Sequence, residues 1–312
     1  MKKTTFLFPG QGSQKPGMLN ALDARDLITA EIFAQSLEIL GEPAVGLDSE
    51  EKMHSTVYVQ ICLLIAGVIS GRQLLARGVE PDFVAGHSVG AFSAAVISGV
   101  LSFKQALALV KTRGTLMQNA YPKGYGMAAL VGLSLSVLNK IISVHNERQS
   151  TIYLANINTA DQQVIAGRLD SIHLFIESVK QNTSIRKARI LNMSVPSHCE
   201  LLEDVSKALK AKLDELTLHE PAFGYASNHT GRLLKTSDAI RQDLWKSVAY
   251  TVQWQDATTL LYELGSRIFI ETNPSGVLSK MAESAFADAD VLAIQEVGAG
   301  PVSWLWKSFQ AE

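Results

Sequence analysis

Ser88 stands inside Gly86-His87-Ser88-Val89-Gly90, a G-x-S-x-G sequence. A serine in that pattern sits on a sharp turn from a strand into a helix, with its hydroxyl raised out of the sheet. Amides at the start of the helix then face any charge that develops on a bound carbonyl oxygen. The chemistry this suits is nucleophilic attack on an acyl carbon. A plain glycine-rich turn is the alternative. The hydroxyl needs a base, and the chain has seven histidines. His198, in Val195-Pro196-Ser197-His198-Cys199, is downstream of Ser88 at a point where the chain changes its rhythm, and a neutral imidazole there can take the Ser88 proton. His87, beside Ser88, reads as support for the turn. Cys199 offers a thiol next to the imidazole, but adjacent residues rarely point at one another, and the tight turn belongs to Ser88. Arg113 is the cation to follow. Its planar fork can grip a carboxylate with two parallel hydrogen bonds, although a surface arginine on a helix would look the same. Gln60, polar inside an apolar helix, is either tied to backbone or faces a site, because buried amides are hydrogen-bonded.

The elements that must position these residues follow from the pattern of apolar residues. Pro81 to Ala85 is a short apolar run opened by proline and reads as a buried strand; Ala91 to Ile97 is small and apolar and reads as a core helix. Thr4 to Phe8 is a first strand, β-branched and aromatic. It runs into Pro9-Gly10-Gln11-Gly12-Ser13-Gln14, which lacks the lysine-hydroxyl pair of a phosphate-binding P-loop. That loop can instead bring a backbone amide to the Ser88 turn, or be a surface turn. Val57 to Leu75 reads as a long apolar helix, and Ser102 as the N-cap of the helix that carries Arg113. Between Gly126 and Met193 the order changes to strand, helix, strand, strand, helix, strand, which is that of a ferredoxin-like unit. After it, helices at Leu201 to Leu216 and Ala257 to Leu264 alternate with strands at Phe223 to Ser227, Arg267 to Glu271 and Val291 to Ile294. The fold class expected is therefore α/β. A large α/β-hydrolase-like domain with a mostly parallel sheet spans 1–125 and 194–312, and a ferredoxin-like domain, 126–193, is inserted into it. A site between the two follows naturally.

Composition narrows the function. With 312 residues and 47% hydrophobic content, the chain can bury a full core. A net charge of -2 argues against a nucleic-acid partner. The apolar run Ile61 to Ile69 is too short to span a bilayer, and Pro9 cuts the N-terminal apolar run short of a signal peptide. Cys62 and Cys199 lie far apart, with no metal spacing and no disulfide framework, which fits a cytoplasmic protein. Lys180, Arg186, Lys187 and Arg189 form a basic cluster that can meet an acidic carrier, or simply be a solvated face.

Taken in order, Phe8 to Gln14, Gly86 to Gly90, Arg113-Gly114 with Met117-Gln118, and Val195 to His198 resemble the malonyl-CoA:acyl carrier protein acyltransferase family. The likeness runs nearly end to end and includes the inserted unit. It implies an acyltransferase with a covalent acyl-serine and no permanently bound cofactor or metal. Ser88 would be the nucleophile and His198 the base, then the acid. Backbone amides of Gln11 and Val89 would form the oxyanion hole. Arg113 would pair with the free carboxylate of a malonyl group taken from malonyl-CoA, with Gln60 nearby. A backbone carbonyl orients the histidine in that family, and by position it belongs to Ser247. The chain departs from the fatty-acid members at Val89 and Ala91, where leucine and glutamate are usual. Gly86 to Phe92, Tyr125 to Ala129 and Val195 to Cys199 look closest to the epsilon subunit of malonate decarboxylase. That branch implies the decarboxylase's carrier subunit as acceptor, with Val89 and Ala91 expected to shape the cleft mouth. The alternative is a malonyl-CoA:acyl carrier protein transacylase of fatty-acid or polyketide synthesis. An α/β-hydrolase esterase, with its serine-acid-histidine order, fits the inserted unit and the Gln11 loop less well. A patatin-like lipase lacks its Asp-Gly pair here. An inactive docking subunit predicts a damaged site, yet serine, histidine and arginine all stand.

Overall fold

Thr4, Thr5, Phe6, Leu7 and Phe8 are all fully buried, so the first strand is covered on both faces, as a central strand of a parallel sheet must be. The computed structural model describes residues 2–121, 123–148, 151–274 and 276–311. The first stretch of the chain holds β1 (Lys3–Phe8), α1 (Leu27–Leu40), α2 (Thr56–Leu75), β2 (Phe83–Gly86), α3 (Gly90–Ile97) and α4 (Phe103–Ala120). Then come β3 (Tyr125–Val131), α5 (Leu135–Asn146), β4 (Ile152–Thr159), β5 (Gln162–Arg168), α6 (Leu169–Asn182) and β6 (Lys187–Ile190). The rest holds α7 (Glu203–Asp214), β7 (Gly224–Ala226), β8 (Leu233–Leu234), α8 (Ser237–Lys246), α9 (Trp254–Glu263), β9 (Ser266–Glu271), α10 (Leu278–Ala285), β10 (Asp290–Ala293), α11 (Ile294–Val297) and α12 (Ala299–Ala311).

Among the described residues the strands form a six-stranded sheet in the order β10-β9-β1-β2-β7-β8 and a four-stranded sheet in the order β4-β5-β3-β6. In the large sheet every pairing is parallel except that of β8 with β7. Helices cover both faces. One core joins Phe6 and Phe8 to α2, α3 and α4; the other joins Leu7 and Phe269 to α9 and α10. The 20-residue α2 is long and apolar enough to cross a membrane, but it is a core helix, with Val59 to Gly71 buried. Its apolar length comes from being packed on all sides.

The small sheet is antiparallel. Its period of two sorts its side chains by face. Ala128 and Leu130 of β3 join Ile172, Phe175 and Val179 of α6 in one core. Met127, Val164 and Ala166 face the other way, toward Cys199 of the large domain. The two domains are also tied through backbone: Ile157 N–H donates to the Val252 carbonyl at 2.9 Å, and Val252 N–H to that of Ala155 at 2.9 Å. Element boundaries differ modestly from the sequence expectation. The strand expected from Thr151 to Asn156 runs to Thr159, and that from Arg186 to Met193 ends at Ile190. The helix expected from Leu201 begins as a 3-10 turn and ends at Asp214.

Candidate active site

The loops after β1, β2 and β7 leave the carboxyl ends of adjacent parallel strands, the usual place for a site in an open α/β sheet. The tightest is the one after β2. Ser88 has φ 56, in the left-handed region, a conformation that costs a non-glycine residue about 1–3 kcal/mol. Its flanks must be glycine. A Cβ on Gly86 would lie 2.2 Å from the Gly90 carbonyl carbon, and one on Gly90 would lie 2.1 Å from the Phe8 carbonyl oxygen. Here helix α3 meets the ends of β1 and β2 at backbone distance. The turn is braced from outside: Ser88 N–H donates to Asn228 Oδ1 at 2.9 Å, and Asn228 Nδ2 donates to the Gly86 carbonyl at 2.7 Å. His87 packs edge-on against Trp254, and its Nε2 lies 3.2 Å from both Asn156 and Asn158 of β4.

Ser88 Oγ lies 2.8 Å from His198 Nε2. His198 Nδ1 donates to the Ser247 carbonyl at 2.5 Å. A carbonyl can only accept, so Nδ1 carries the proton and Nε2 of the neutral ring presents its lone pair to the serine. Burial, then the nearby Arg113 charge, pushes the His198 pKa down to about 3, so the ring is neutral at ordinary pH. That is the state a general base needs. Ser247 caps α8, and the residue after it holds His198 as well, because His198 N–H donates to the Val248 carbonyl at 3.0 Å. No carboxylate bonds to His198 among the described residues, which separates this arrangement from a serine-histidine-acid triad.

Arg113 is not a surface arginine: it is 1% exposed. A Cβ on Gly114 would sit 2.8 Å from Val57 Cα, so glycine lets α2 and α4 cross closely and brings Gln60 beside Arg113. Arg113 Nη1 donates to Gln60 Oε1 at 2.5 Å and Nη2 to Ser88 Oγ at 3.2 Å. Gln60 Nε2 is spent on Met117 Sδ at 3.5 Å. Gln60 is therefore tied to side chains, not to backbone, and stands behind the arginine. Burial lowers the Arg113 pKa to about 10, so the guanidinium stays charged near neutrality. Its Nε has no partner, and no carboxylate pairs with it among the described residues.

Gln11, Ser88, Arg113 and His198 line one small cavity of about 40 Å³, closed on the other side by Met127, Val164 and Met193 of the small domain. Two larger clefts, of about 370 and 360 Å³, share Gln11, Leu191 and Met193 with it and open outward. The backbone amides of Gln11 and Val89 have no protein acceptor among the described residues, and Val89 caps the start of α3. Both amides are thus unspent donors close in sequence to the cavity residues, Gln11 lining it and Val89 following Ser88. Val89 and Ala91 do not shape the cleft mouth as expected from the sequence. Their side chains are 1% and 0% exposed and belong to the main core, because α3 is packed on every side. Cys199 is a buried thiol whose Sγ donates to the Pro196 carbonyl at 3.2 Å; burial pushes its pKa up to about 12, which removes it as a nucleophile. Of the basic cluster, Arg186 pairs with Asp161, Lys180 and Lys187 are exposed, and Arg189 lines the 370 Å³ cleft. No group of three His, Cys, Asp or Glu side chains among the described residues is placed to hold a metal ion. The sequence reading did not single out Asn228, although Ser227-Asn228 directly follows β7 at the same sheet edge as Ser88.

The family model described as "Acyl transferase domain" matches residues 5–299. The chain is 31% identical to the malonyl CoA-acyl carrier protein transacylase of Bacillus subtilis, over 95% of this chain and 94% of that protein. It is 32% identical to that of Escherichia coli K12, over 96% and 98%. Among solved structures, the malonyl-CoA:acyl carrier protein transacylase of Xanthomonas oryzae is similar with a TM-score of 0.89 and 33% identity, covering 95% of each chain. A type II PKS acyl-carrier protein in complex with its malonyl-transacylase is similar with a TM-score of 0.87 and 30% identity, covering 94% of this chain and 96% of that one.

Proposed function

The chain belongs to the acyl transferase domain family and is an acyltransferase; on that premise we propose that it moves a malonyl group from malonyl-CoA to the thiol of an acyl carrier protein. The observation that carries the choice of acyl group is Arg113, a buried cation 3.2 Å from the Ser88 hydroxyl with no carboxylate against it among the described residues. A malonyl group attached at Ser88 brings its second carboxylate to that guanidinium. In the first half-reaction Ser88 Oγ attacks the thioester carbonyl as His198 Nε2 takes its proton. The oxyanion rests on the Gln11 and Val89 amides. The carbon–sulfur bond breaks, and the imidazolium returns the proton to the departing CoA sulfur. In the second, His198 takes the proton of a carrier thiol, the thiolate attacks the malonyl-serine, and the Ser88 oxygen leaves with that proton.

A charge-assisted pair of this kind is worth about 1.5–3 kcal/mol, which corresponds to at least tenfold preference for malonyl over acetyl. The test is the ratio of Ser88 acylation rates with malonyl-CoA and acetyl-CoA. Arg113→Ala should collapse that ratio; an equal loss with both donors would make Arg113 a structural residue.

For the acceptor, the similarity to transacylases named for acyl carrier protein, and to one seated on its carrier, supports a carrier of the fatty-acid or polyketide kind. The malonate decarboxylase carrier is the second reading, supported by the Gly86 to Phe92, Tyr125 to Ala129 and Val195 to Cys199 sequences alone. It loses one argument, since Val89 and Ala91 are core residues that touch no incoming carrier. Side-by-side transfer to both purified holo-carriers decides it by kcat/KM. The fatty-acid carrier is expected to be preferred, and a clear preference for the decarboxylase carrier would reverse the order.

A further inference from the structure

Two anchors of the reacting pair trace back to one short helix. On one side, Ser88 N–H and the Gly86 carbonyl are both held by the Asn228 side chain. Asn228 is 2% exposed, and its own backbone N–H donates to Asp243 Oδ2 at 3.2 Å. Asp243 lies on α8, is 3% exposed, and gathers the whole turn after β7. Its Oδ1 accepts from Ser227 Oγ at 2.5 Å and His229 N–H at 2.9 Å, and its Oδ2 also accepts from the Tyr225 hydroxyl at 3.4 Å. On the other side, Ser247, one turn further along the same helix, holds His198 Nδ1 through its carbonyl. Ser247 N–H donates to the Asp243 carbonyl at 2.9 Å, which joins the two anchors by a single helical hydrogen bond.

We propose that Asn228 and Asp243 are positioning residues for the reaction, and that α8 sets the distance between nucleophile and base by holding Asn228 with one residue and His198 with another. The chemistry of each partner is specific. Asn228 must both accept and donate, which a carboxylate or a hydrocarbon cannot do. Each Asp243 oxygen faces a backbone N–H, so an asparagine there would turn its NH2 against a donor on one side or the other. The bond from Asn228 also spends the Ser88 amide, leaving the Val89 amide as the open donor at the helix start. A nucleophile in a left-handed turn needs such a clamp, because loss of position by a fraction of an ångström is felt directly in the rate.

The proposal rests on the acyl transfer reading only in taking Ser88 as nucleophile, so the test uses two reagents on the full chain. Phenylmethylsulfonyl fluoride sulfonylates an activated serine hydroxyl with loss of fluoride and requires no malonyl recognition; malonyl-CoA reports the proposed reaction. Asn228→Ala should slow both modifications of Ser88 by roughly 10–100-fold and leave KM for malonyl-CoA unchanged. Asp243→Asn should act in the same direction and less strongly, and the double variant should lose less than the product of the two single losses. A folded Asn228→Ala protein with the parent's rates, or losses that multiply in the double variant, would overturn the proposal. If Asn228→Ala does not fold, Asn228→Asp keeps the acceptor for Ser88 and loses the donor to Gly86. It should give intermediate rates, and parental rates would again overturn the clamp. The downfield Nδ1 proton of His198 should move in Asp243→Asn; a fixed resonance would break the link through α8. A parent that is sulfonylated but not malonylated would refute the malonyl reading and leave the clamp to be judged on the sulfonylation rates.

Discussion

At the scale of the residue, the proposed base owes its neutral ring to exclusion of water. His198 is 3% exposed, beside a buried cation, and its pKa of about 3 lies below the ordinary histidine value. The sign follows directly. In the folded protein the ring takes a proton only near pH 3, so the acylation rate should run flat as pH falls from 8 through 5. A pH profile of kcat/KM checks this, and an inflection near 6.5 would contradict it. The unfolded chain does protonate this histidine below about 6.5. The stability contributed by the buried neutral ring is thus complete above that pH and drains as pH falls toward 3. Ser88→Ala should abolish the malonyl adduct seen by intact-protein mass, and His198→Ala should slow acylation by roughly 10²–10⁴-fold. A persistent adduct in the first, or an undiminished rate in the second, would remove that residue from the mechanism.

At the scale of the element, the elbow is a packing device before it is a catalytic one. Gly90→Ala would place a methyl 2.1 Å from the Phe8 carbonyl oxygen, where neither β1 nor α3 can yield without losing backbone bonds. Overpacking of that kind costs roughly 1–3 kcal/mol or more. The urea midpoint should fall accordingly, and an unchanged midpoint would show that α3 has room to shift. This element was legible in the sequence because its requirements are local: two glycines, a strand before and a small-residue helix after. So were the N-cap at Ser102 and the strand-helix order of the inserted unit. Helix α8 was not. Within its ten residues the buried face is Ile240, Asp243 and Leu244, an apolar stripe one turn long with a carboxylate in it, too short to mark a helix in the sequence. Asn228 was hidden for a related reason. An asparagine after a strand reads as an ordinary turn residue, and its partners lie 140 and 142 positions away. The burial of Val89 and Ala91 was not legible because a motif position does not show that its helix is packed on every side.

At the scale of the whole molecule, the site is a seam. The large domain supplies serine, histidine and arginine, and the small sheet closes the cavity with one face of β3 and β5 while its helices pack on the other. Joining the halves through the Ala155–Val252–Ile157 bonds keeps that closure in register. The feature with the widest reach is the guanidinium of Arg113 at this seam, which has no carboxylate partner among the described residues. An uncompensated cation in a protein interior is a standing electrostatic cost, and here it is carried by the resting enzyme as a whole. Folding and ligand binding are therefore linked, so a small dianion that reaches the arginine should tighten the entire molecule against heat. Free malonate, with no CoA and no possibility of reaction, should raise the melting temperature, by an amount equivalent to about 2.7 kcal/mol at a hundred times its dissociation constant. Acetate at equal ionic strength should not, and Arg113→Ala should melt at the same temperature with or without malonate. Equal shifts from both anions would mean that the cavity responds to salt, whereas a shift from malonate alone would make Arg113 a point at which the protein trades thermal stability for recognition of a second carboxylate.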